Sequence, residues 1–307
     1  MTSIHASRWL EFATTQSTLV GLTRVVTSEF SLKAYERIRR TWYLRCAKRG
    51  VYEIKNNTLT LASIFGLSVQ SAAIPVNTKL IVYPEIVDLR YLILSGNDFF
   101  GDTVVRRWIL DDPFITAGAR EYLPGDPMNR IHWAATARQN TVMVRKNDYT
   151  AKLDILVLLN IQSRDNEYED VIDKDLIEYG IKVAATVFDL ALKNGARIQF
   201  GCNAGTEEDR TKTVLTESDA SSNHIQHLLT ILSGLVLKNV RYFEEFLKNA
   251  TENKRDAEIL ILTSYMNLEM TDIVRDLIRA RNRVKILMLD PYARAFAMPV
   301  GADLYYV

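Results

Sequence analysis

The densest set of chemically capable side chains is Arg120-Glu121-Tyr122-Leu-Pro124-Gly125-Asp126-Pro127-Met-Asn129-Arg130-Ile131-His132-Trp133-Ala134-Ala-Thr136-Ala137-Arg138. A carboxylate and an imidazole this close in sequence are the parts of a general acid–base pair. Arginines on either side are suited to hold an anionic substrate through planar, bidentate bonds. The same residue types also describe a structural lock. Pro124-Gly125-Asp126-Pro127 has turn chemistry, and Asp126 or Asn129 is placed to cap a short helix over residues 130–137. In that second reading Arg120, Arg130 and Arg138 bind Asp126 or Glu121. Ile131, Trp133 and Ala134 then face the core, and His132 satisfies a backbone carbonyl. A general base needs a nucleophile or a metal beside it, and the segment supplies neither, so the lock is the expectation taken forward.

Elsewhere catalytic signatures are missing. No strand is followed by a Gly-rich phosphate loop, and neither Gly-x-Ser-x-Gly nor His-Glu-x-x-His occurs. Gly201-Cys202-Asn203-Ala204-Gly205 lacks the Lys-Ser/Thr of a phosphate loop and predicts a tight turn after a strand. Cys46 and Cys202 stand far apart without ligand spacing, which points to two reduced thiols and a cytosolic setting. A net charge of +1 supplies no field for nucleic acid. No apolar run reaches the roughly 18 residues of a membrane-spanning helix, and Met1 to Phe12 does not read as a signal peptide.

The elements that must position these residues change character along the chain. The first half predicts strands over 43–54, 58–63, 78–83, 103–110 and 115–122, with a turn at Asn56-Asn57 and breaks at Pro75, Pro84, Asp112-Pro113 and Pro124-Gly125. Residues 1–28 resist assignment, as a frayed helix or the remnant of something longer. The second half alternates: short apolar strands over 153–159, 198–202, 258–263 and 284–289, and helices over 169–193, 222–236, 240–249 and 271–281. Lys193-Asn194-Gly195 marks a helix stop. This pattern predicts an open, mostly parallel, doubly wound α/β sheet with helices on both faces. The expected division is 1–30 uncertain, 31–91 β-rich and antiparallel, 92–150 connecting, and 151–307 α/β.

The run Arg120-x-Tyr122-x-Pro124-Gly125-Asp126, then Arg130-Ile-His132-Trp133-x-x-Thr136-Ala137-Arg138, then Val142-Met-Val144-Arg145, resembles the signature block of the DUF58 family. Arg49-Gly50-Val51-Tyr52, Phe65-Gly66-Leu67 and Val82-Tyr83-Pro84 are similar to that family's upstream β-rich segment. The resemblance implies a β-rich module joined to a von Willebrand A-like domain, and association with a MoxR-type AAA+ ATPase. Members commonly carry two membrane-spanning helices ahead of the β-rich segment. The expectation here is a soluble variant, or a chain whose upstream part is missing, placed in the cytoplasm or at the cytoplasmic face of a membrane. The cations Lys33, Arg37, Arg39, Arg40, Arg45, Lys48 and Arg49 fit either a membrane-proximal face or a solvated strand edge.

A-like domains that hold a metal use Asp-x-Ser-x-Ser after the first strand, with a later Thr and Asp. Here the run is Asn160-Ile161-Gln162-Ser163-Arg164, and Thr263-Ser264-Tyr265 follows the third strand. A hard dication needs a carboxylate among its oxygen ligands. Asp154 lies at the wrong end of the strand, and Asp165 reaches the place only by rearranging its loop. No metal and no cofactor are therefore expected. The resulting expectation is a non-catalytic interaction or scaffold protein that binds its partner at the strand-end crevice. Asn160, Gln162, Ser163, Asn203 and Ser264 face that crevice, Tyr265 is the anchor, and Arg164 with the acids from Asp165 to Asp170 sets orientation. The rivals are a hydrolase or transferase built on Asp126 and His132, and a metal-dependent adhesion domain.

Overall fold

The computed structural model describes the chain except residues 14–16, 32, 34, 64–66, 89–115, 123–130, 140, 148–153, 194, 293–300 and 307. Its first part is a five-stranded antiparallel sheet ordered β3-β4-β1-β6-β7, built from β1 (Thr2–Ser7), β3 (Ser17–Val20), β4 (Thr23–Ser28), β6 (Gly50–Ala62) and β7 (Val69–Val82). Residues 1–28 are thus strand and not a frayed helix. They supply three of its strands, so a boundary at residue 31 would cut the sheet. Two short strands, β2 (Leu10–Phe12) and β5 (Leu44–Cys46), pair separately.

Asn56-Asn57 does not turn the chain. The two residues continue β6, and the register shifts between Ile54 and Asn56, opposite Pro75. Pro75 removes one ladder donor, and a bulge in an edge pair absorbs that loss, so neither signal ends its strand. The expected strand over 43–54 is split between β5 and β6. The strand expected over 103–110, and the breaks at Asp112-Pro113 and Pro124-Gly125, lie outside the described residues.

A small unit follows: β8 (Thr116–Glu121) and β9 (Met143–Asn147) pair antiparallel around α1 (Trp133–Gln139). The third part is a six-stranded mixed sheet ordered β13-β11-β10-β15-β16-β17. Its strands are β10 (Asp154–Leu159), β11 (Arg197–Cys202), β13 (Val214–Leu215), β15 (Glu258–Thr263), β16 (Arg283–Met288) and β17 (Asp303–Tyr306). All neighbours are parallel except β13 with β11. Two further strands, β12 (Ala204–Thr206) and β14 (Leu235–Asn239), form a ribbon beside it.

Helices cover both faces, as the alternation predicts. The side-chain period of two along β10 sorts Ile155, Val157 and Leu159 to one face and Leu156 and Leu158 to the other. The first set packs with α2 (Lys174–Lys193) and α3 (Ser222–Gly234), the second with α4 (Phe243–Ala250) and α5 (Leu268–Arg279). Phe188 of α2 meets Phe200 of β11 edge-on, with centroids 5.2 Å apart. Caps set the helix starts. Asp173 Oδ1 accepts from Leu176 N at 3.0 Å, so the acids at 169–173 precede α2 rather than opening it. Asn267 Oδ1 accepts from Met270 N at 2.9 Å, which starts α5 one turn before the expected Thr271. Gly195, at φ +77°, closes the α2 end as its sequence signal predicts. Gly201 and Gly205 make no tight turn. Gly201 lies inside β11, where an added Cβ would sit 2.8 Å from Leu158 Cδ2.

Arg49 joins the β-rich part to the α/β part. Its guanidinium takes Glu178 of α2 in a two-point bond (2.8 and 3.2 Å) and donates to the carbonyls of Leu232, Ser233 and Leu235 (2.6, 3.2 and 3.2 Å). It therefore brings a cation to the carbonyls at the α3 C-terminus, where the helix dipole favours one. Arg49 is a buried clamp and not part of a solvated edge.

Candidate functional site

Strand order sets the location. The chain leaves β10 for β11 on one side and later returns to β15 on the other, so the C-terminal ends of β10 and β15 form a switch point. Register does the rest. Leu159 pairs with Cys202 and Leu262, which places Asn160, Asn203 and Thr263, each the next residue, side by side. Asn160, Gln162, Ser163, Asn203 and Ser264 are brought together here as the sequence predicts. All five are buried, with at most 5 % exposure, so they form the floor of the crevice and not a contact surface.

Their polar atoms are used on one another. Asn160 Nδ2 donates to Thr263 Oγ1 (3.0 Å), and Asn160 Oδ1 accepts from Gln162 N (2.9 Å) and Asn203 Nδ2 (3.4 Å). Asn203 Oδ1 accepts from Ile161 N (2.8 Å). Gln162 Oε1 accepts from Phe243 N at the start of α4 (2.7 Å), and Gln162 Nε2 donates to the Glu167 carbonyl (2.6 Å). Ser264 Oγ donates to the carbonyls of Gln162 and Ser163 (2.9 and 3.0 Å). Leaving one such buried group unpaired costs about 1 to 3 kcal/mol, so the set acts as a unit that fixes three loops.

Glu167 is the residue that sequence reasoning placed wrongly. Inside the run from Asp165 to Asp170 it reads as a solvated acid, yet it is 5 % exposed. Its carboxylate accepts from the Ser163 backbone N–H and hydroxyl and from the Ile172 N–H. Ser163 Oγ in turn accepts from Asp173 N (3.1 Å). Backbone donors replace the water lost on burial, which is how a carboxylate is held without a cation. This chemistry does not suit a hard dication. At the leading position stands an amide whose nitrogen points to Thr263, and the nearby buried carboxylate is already spent on backbone donors. Asp165 binds Asn267 Nδ2 (2.9 Å), and no cluster of three or more His, Cys, Asp or Glu occurs among the described residues.

Tyr265 is half-buried. Its hydroxyl meets Glu244 Oε1 at 3.4 Å, and the Glu244 carboxylate also accepts from Asn267 Nδ2 (2.5 Å). Burial first, then the Glu244 charge, push the phenol above its ordinary pKa, against a hydrogen bond with Asn160. The ring is thereby committed inward, which makes it a poor anchor. The exposed aromatic surface lies around the floor. Tyr168 (62 % exposed) and Tyr242 (42 %) stack obliquely with centroids 5.7 Å apart, and Ile172 and Leu268 are exposed beside loop residues bonded to the network. Two ion pairs flank them, Lys238 with Glu169 (3.1 Å) and Arg241 with Glu245 (2.8 Å).

The other predicted residues divide. Gly125, Asp126 and Arg130 lie outside the described residues, as does the side chain of Arg120. Tyr122 N donates to the Val142 carbonyl (2.8 Å). Among the described residues the His132 ring meets no carbonyl. Its Nδ1 accepts from Ala135 N (3.2 Å) while its backbone N–H donates to Met143 O (2.7 Å), so it caps α1. Thr136 Oγ1 accepts from Met143 N (2.9 Å) and ties the helix to β9. Ile131 is buried as expected. Trp133 is not: it is 70 % exposed, Ala134 and Arg138 are exposed too, and no residue of this short helix is buried.

Comparison with known proteins matches residues 118–299 to the family described as protein of unknown function DUF58. An uncharacterized protein, YeaD of Bacillus subtilis (strain 168), is 21 % identical over 223 residues, covering 72 % of this chain. The chain spans about half the length of that relative, 52 %.

Proposed function

This chain belongs to the DUF58 family, and we propose that it is a non-catalytic protein-binding module: a β-rich part carrying a von Willebrand A-like domain whose strand-end rim docks onto another protein. The observation that carries this reading is the closed network under the crevice. With Asn160 at the leading position and Glu167, Gln162 and Ser264 consumed internally, the described floor residues offer neither an activating carboxylate nor a vacant ligand set. Around a rigid floor stand aromatic and aliphatic side chains that are open to solvent. Tyrosines are enriched in binding hot spots, and a fixed platform lowers the ordering cost of association.

The rim engages a MoxR-type AAA+ ATPase, and the complex serves assembly or maturation of other proteins; this partner comes from the family resemblance. The floor residues shape the rim, Tyr168 and Tyr242 anchor the partner, and Lys238, Glu169, Arg241 and Glu245 set orientation and salt dependence. A hydrolase built on His132 loses support because the imidazole Nδ1 is occupied by a backbone N–H. The test is co-purification with the MoxR-type ATPase of the same organism, with and without nucleotide. A complex retained at micromolar concentrations is expected. No complex under either condition overturns the partnership.

A further inference from the structure

The turn after β1 and the loop before β6 gather two cations around one indole. Arg8 Cζ and Lys48 Nζ stand 4.3 and 4.6 Å from the centroid of the Trp9 ring. The two segments are tied to one another and to β6. Ala47 N donates to the Trp9 carbonyl (3.0 Å), and the Tyr52 hydroxyl donates to the Lys48 carbonyl (2.7 Å). Nearby Arg45 has Glu11 opposite it across the β2–β5 ladder, but neither Arg8 nor Lys48 forms an ion pair among the described residues. Both are exposed. Held against one ring they lie within about a Debye length of each other, and the ring face offsets their repulsion only modestly. An anion beside the ring would remove it.

Trp9 and Lys48 also line a groove of about 270 Å³, with Leu235, Val236 and Leu237 of β14 along it. Two acids line it as well, and both are already paired, Glu178 with Arg49 and Glu207 with Arg210. Backbone alternation decides which edge of β14 faces the groove. The Gly234 carbonyl and the Val240 N–H bond to Glu207 and Asn203 on the β12 side. The Leu235 carbonyl accepts from Arg49, itself a groove residue, and Asn239 N donates to the Glu169 carbonyl (3.0 Å) on the other side. The Leu237 N–H lies between these last two and is turned to the same edge. Past Val51 the groove opens into a cleft of about 630 Å³ between β6, β7 and α3, with Ile81 and Ile231 in its walls. The lysine of that cleft, Lys79, is bound to Glu208 at 3.3 Å. Acidic groups are therefore held only at the Trp9 end.

We propose that this groove binds an extended acidic peptide segment. Arg8 and Lys48 take its carboxylates, and Trp9, Val236 and Leu237 pack against its apolar side chains. A backbone carbonyl of the segment accepts from the Leu237 N–H, in the manner of a strand added to a sheet edge. Two cations are too short a track for a nucleic acid strand, whose affinity grows with each phosphate neutralised. This is a second site beside the strand-end rim, and it stands without the rim's partner.

The experiment is a tryptophan-fluorescence titration of the full chain with N-acetylated, C-amidated Glu-Val-Glu-Val-Glu, and with Gln-Val-Gln-Val-Gln as the control peptide. A saturable change with a Kd below about 1 mM is expected for the first peptide and none for the second. Trp9→Phe should remove the signal. Arg8→Gln combined with Lys48→Gln should weaken binding by at least about tenfold, and added salt should weaken it too. Both positions are exposed, and an unchanged melting temperature verifies that the variant folds. The Tyr168→Ala, Tyr242→Ala variant should bind the peptide as the unaltered chain does, which separates this site from the rim. The proposal is overturned by no saturable change in that range, by equal binding of the glutamine peptide, or by undiminished binding to the Arg8→Gln, Lys48→Gln variant. It is also overturned by a signal that survives Trp9→Phe or is lost in the rim variant, either of which moves the peptide elsewhere. Tighter binding of a short oligothymidylate would assign the cations to nucleic acid instead.

Discussion

Asn160 is the residue at which this site departs most from a cation site. Asn160→Asp keeps its shape, but it removes the donor to Thr263 and places a charge at zero exposure. The expected cost is at least about 2 kcal/mol in denaturant unfolding, and excess Mg²⁺ should not restore it. A saturable Mg²⁺-dependent rise in melting temperature would show instead that Asp165 or Glu167 leaves its present partners. Trp133→Ala should change stability by no more than about 0.5 kcal/mol, since the ring is mostly in water; a loss of several kcal/mol would place it in a core. Cys202 is fully buried, and burial raises its thiol pKa to about 12, while Cys46 is partly exposed. A thiol reagent at neutral pH should label Cys46 alone until the chain is denatured. Keeping Cys202 protonated contributes stability that is complete below the ordinary thiol pKa and is lost as pH rises through about 12. At this scale the sequence was legible where a residue follows a strand. Asn160, Asn203 and Thr263 are fixed by register once the apolar runs before them are seen. Glu167 was not legible, because nothing in an acidic run says which carboxylate a folded loop will surround with backbone N–H groups.

Among the elements, the junction of β6 with α2 and α3 depends on one side chain. Arg49→Ala removes the charge partner of Glu178 and the side-chain donor to the carbonyls of Leu232, Ser233 and Leu235, and the loss should be about 3 kcal/mol. Arg49→Lys should recover only part of it, since a single ammonium cannot match the planar fork. The decisive readout is the shape of the denaturation curve. One transition should split into two as the β-rich part uncouples; a single unshifted transition would mean that the clamp is not what joins them. Helix boundaries were readable to within about a turn and a half, and the misses have physical causes. Asn267 caps α5 ahead of Thr271, where the expected helix began. Asn56-Asn57 and Pro75 both carry turn chemistry, but they stand opposite each other across the ladder, where a bulge accommodates both. Pairing partners across a sheet cannot be seen from either strand alone.

For the whole molecule, alternation of short apolar strands with amphipathic helices was enough to read the doubly wound part and its two-sided core. It was not enough to reveal that residues 1–28 complete the first sheet. Those strands are half exposed and short, so their pattern resembles that of a loop until β6 is beside them. The aromatic rim was visible only in space, since Tyr168 and Tyr242 are far apart in the chain and meet above the network. The rim, and not the floor beneath it, is proposed to carry the partner. The direct measurement is the equilibrium affinity for the MoxR-type ATPase of the unaltered chain and of the Tyr168→Ala, Tyr242→Ala double variant. A Kd in the micromolar range that weakens at least tenfold, about 1.4 kcal/mol, in the variant is the predicted result. An affinity that the double variant leaves unchanged, with its fold intact, would contradict it.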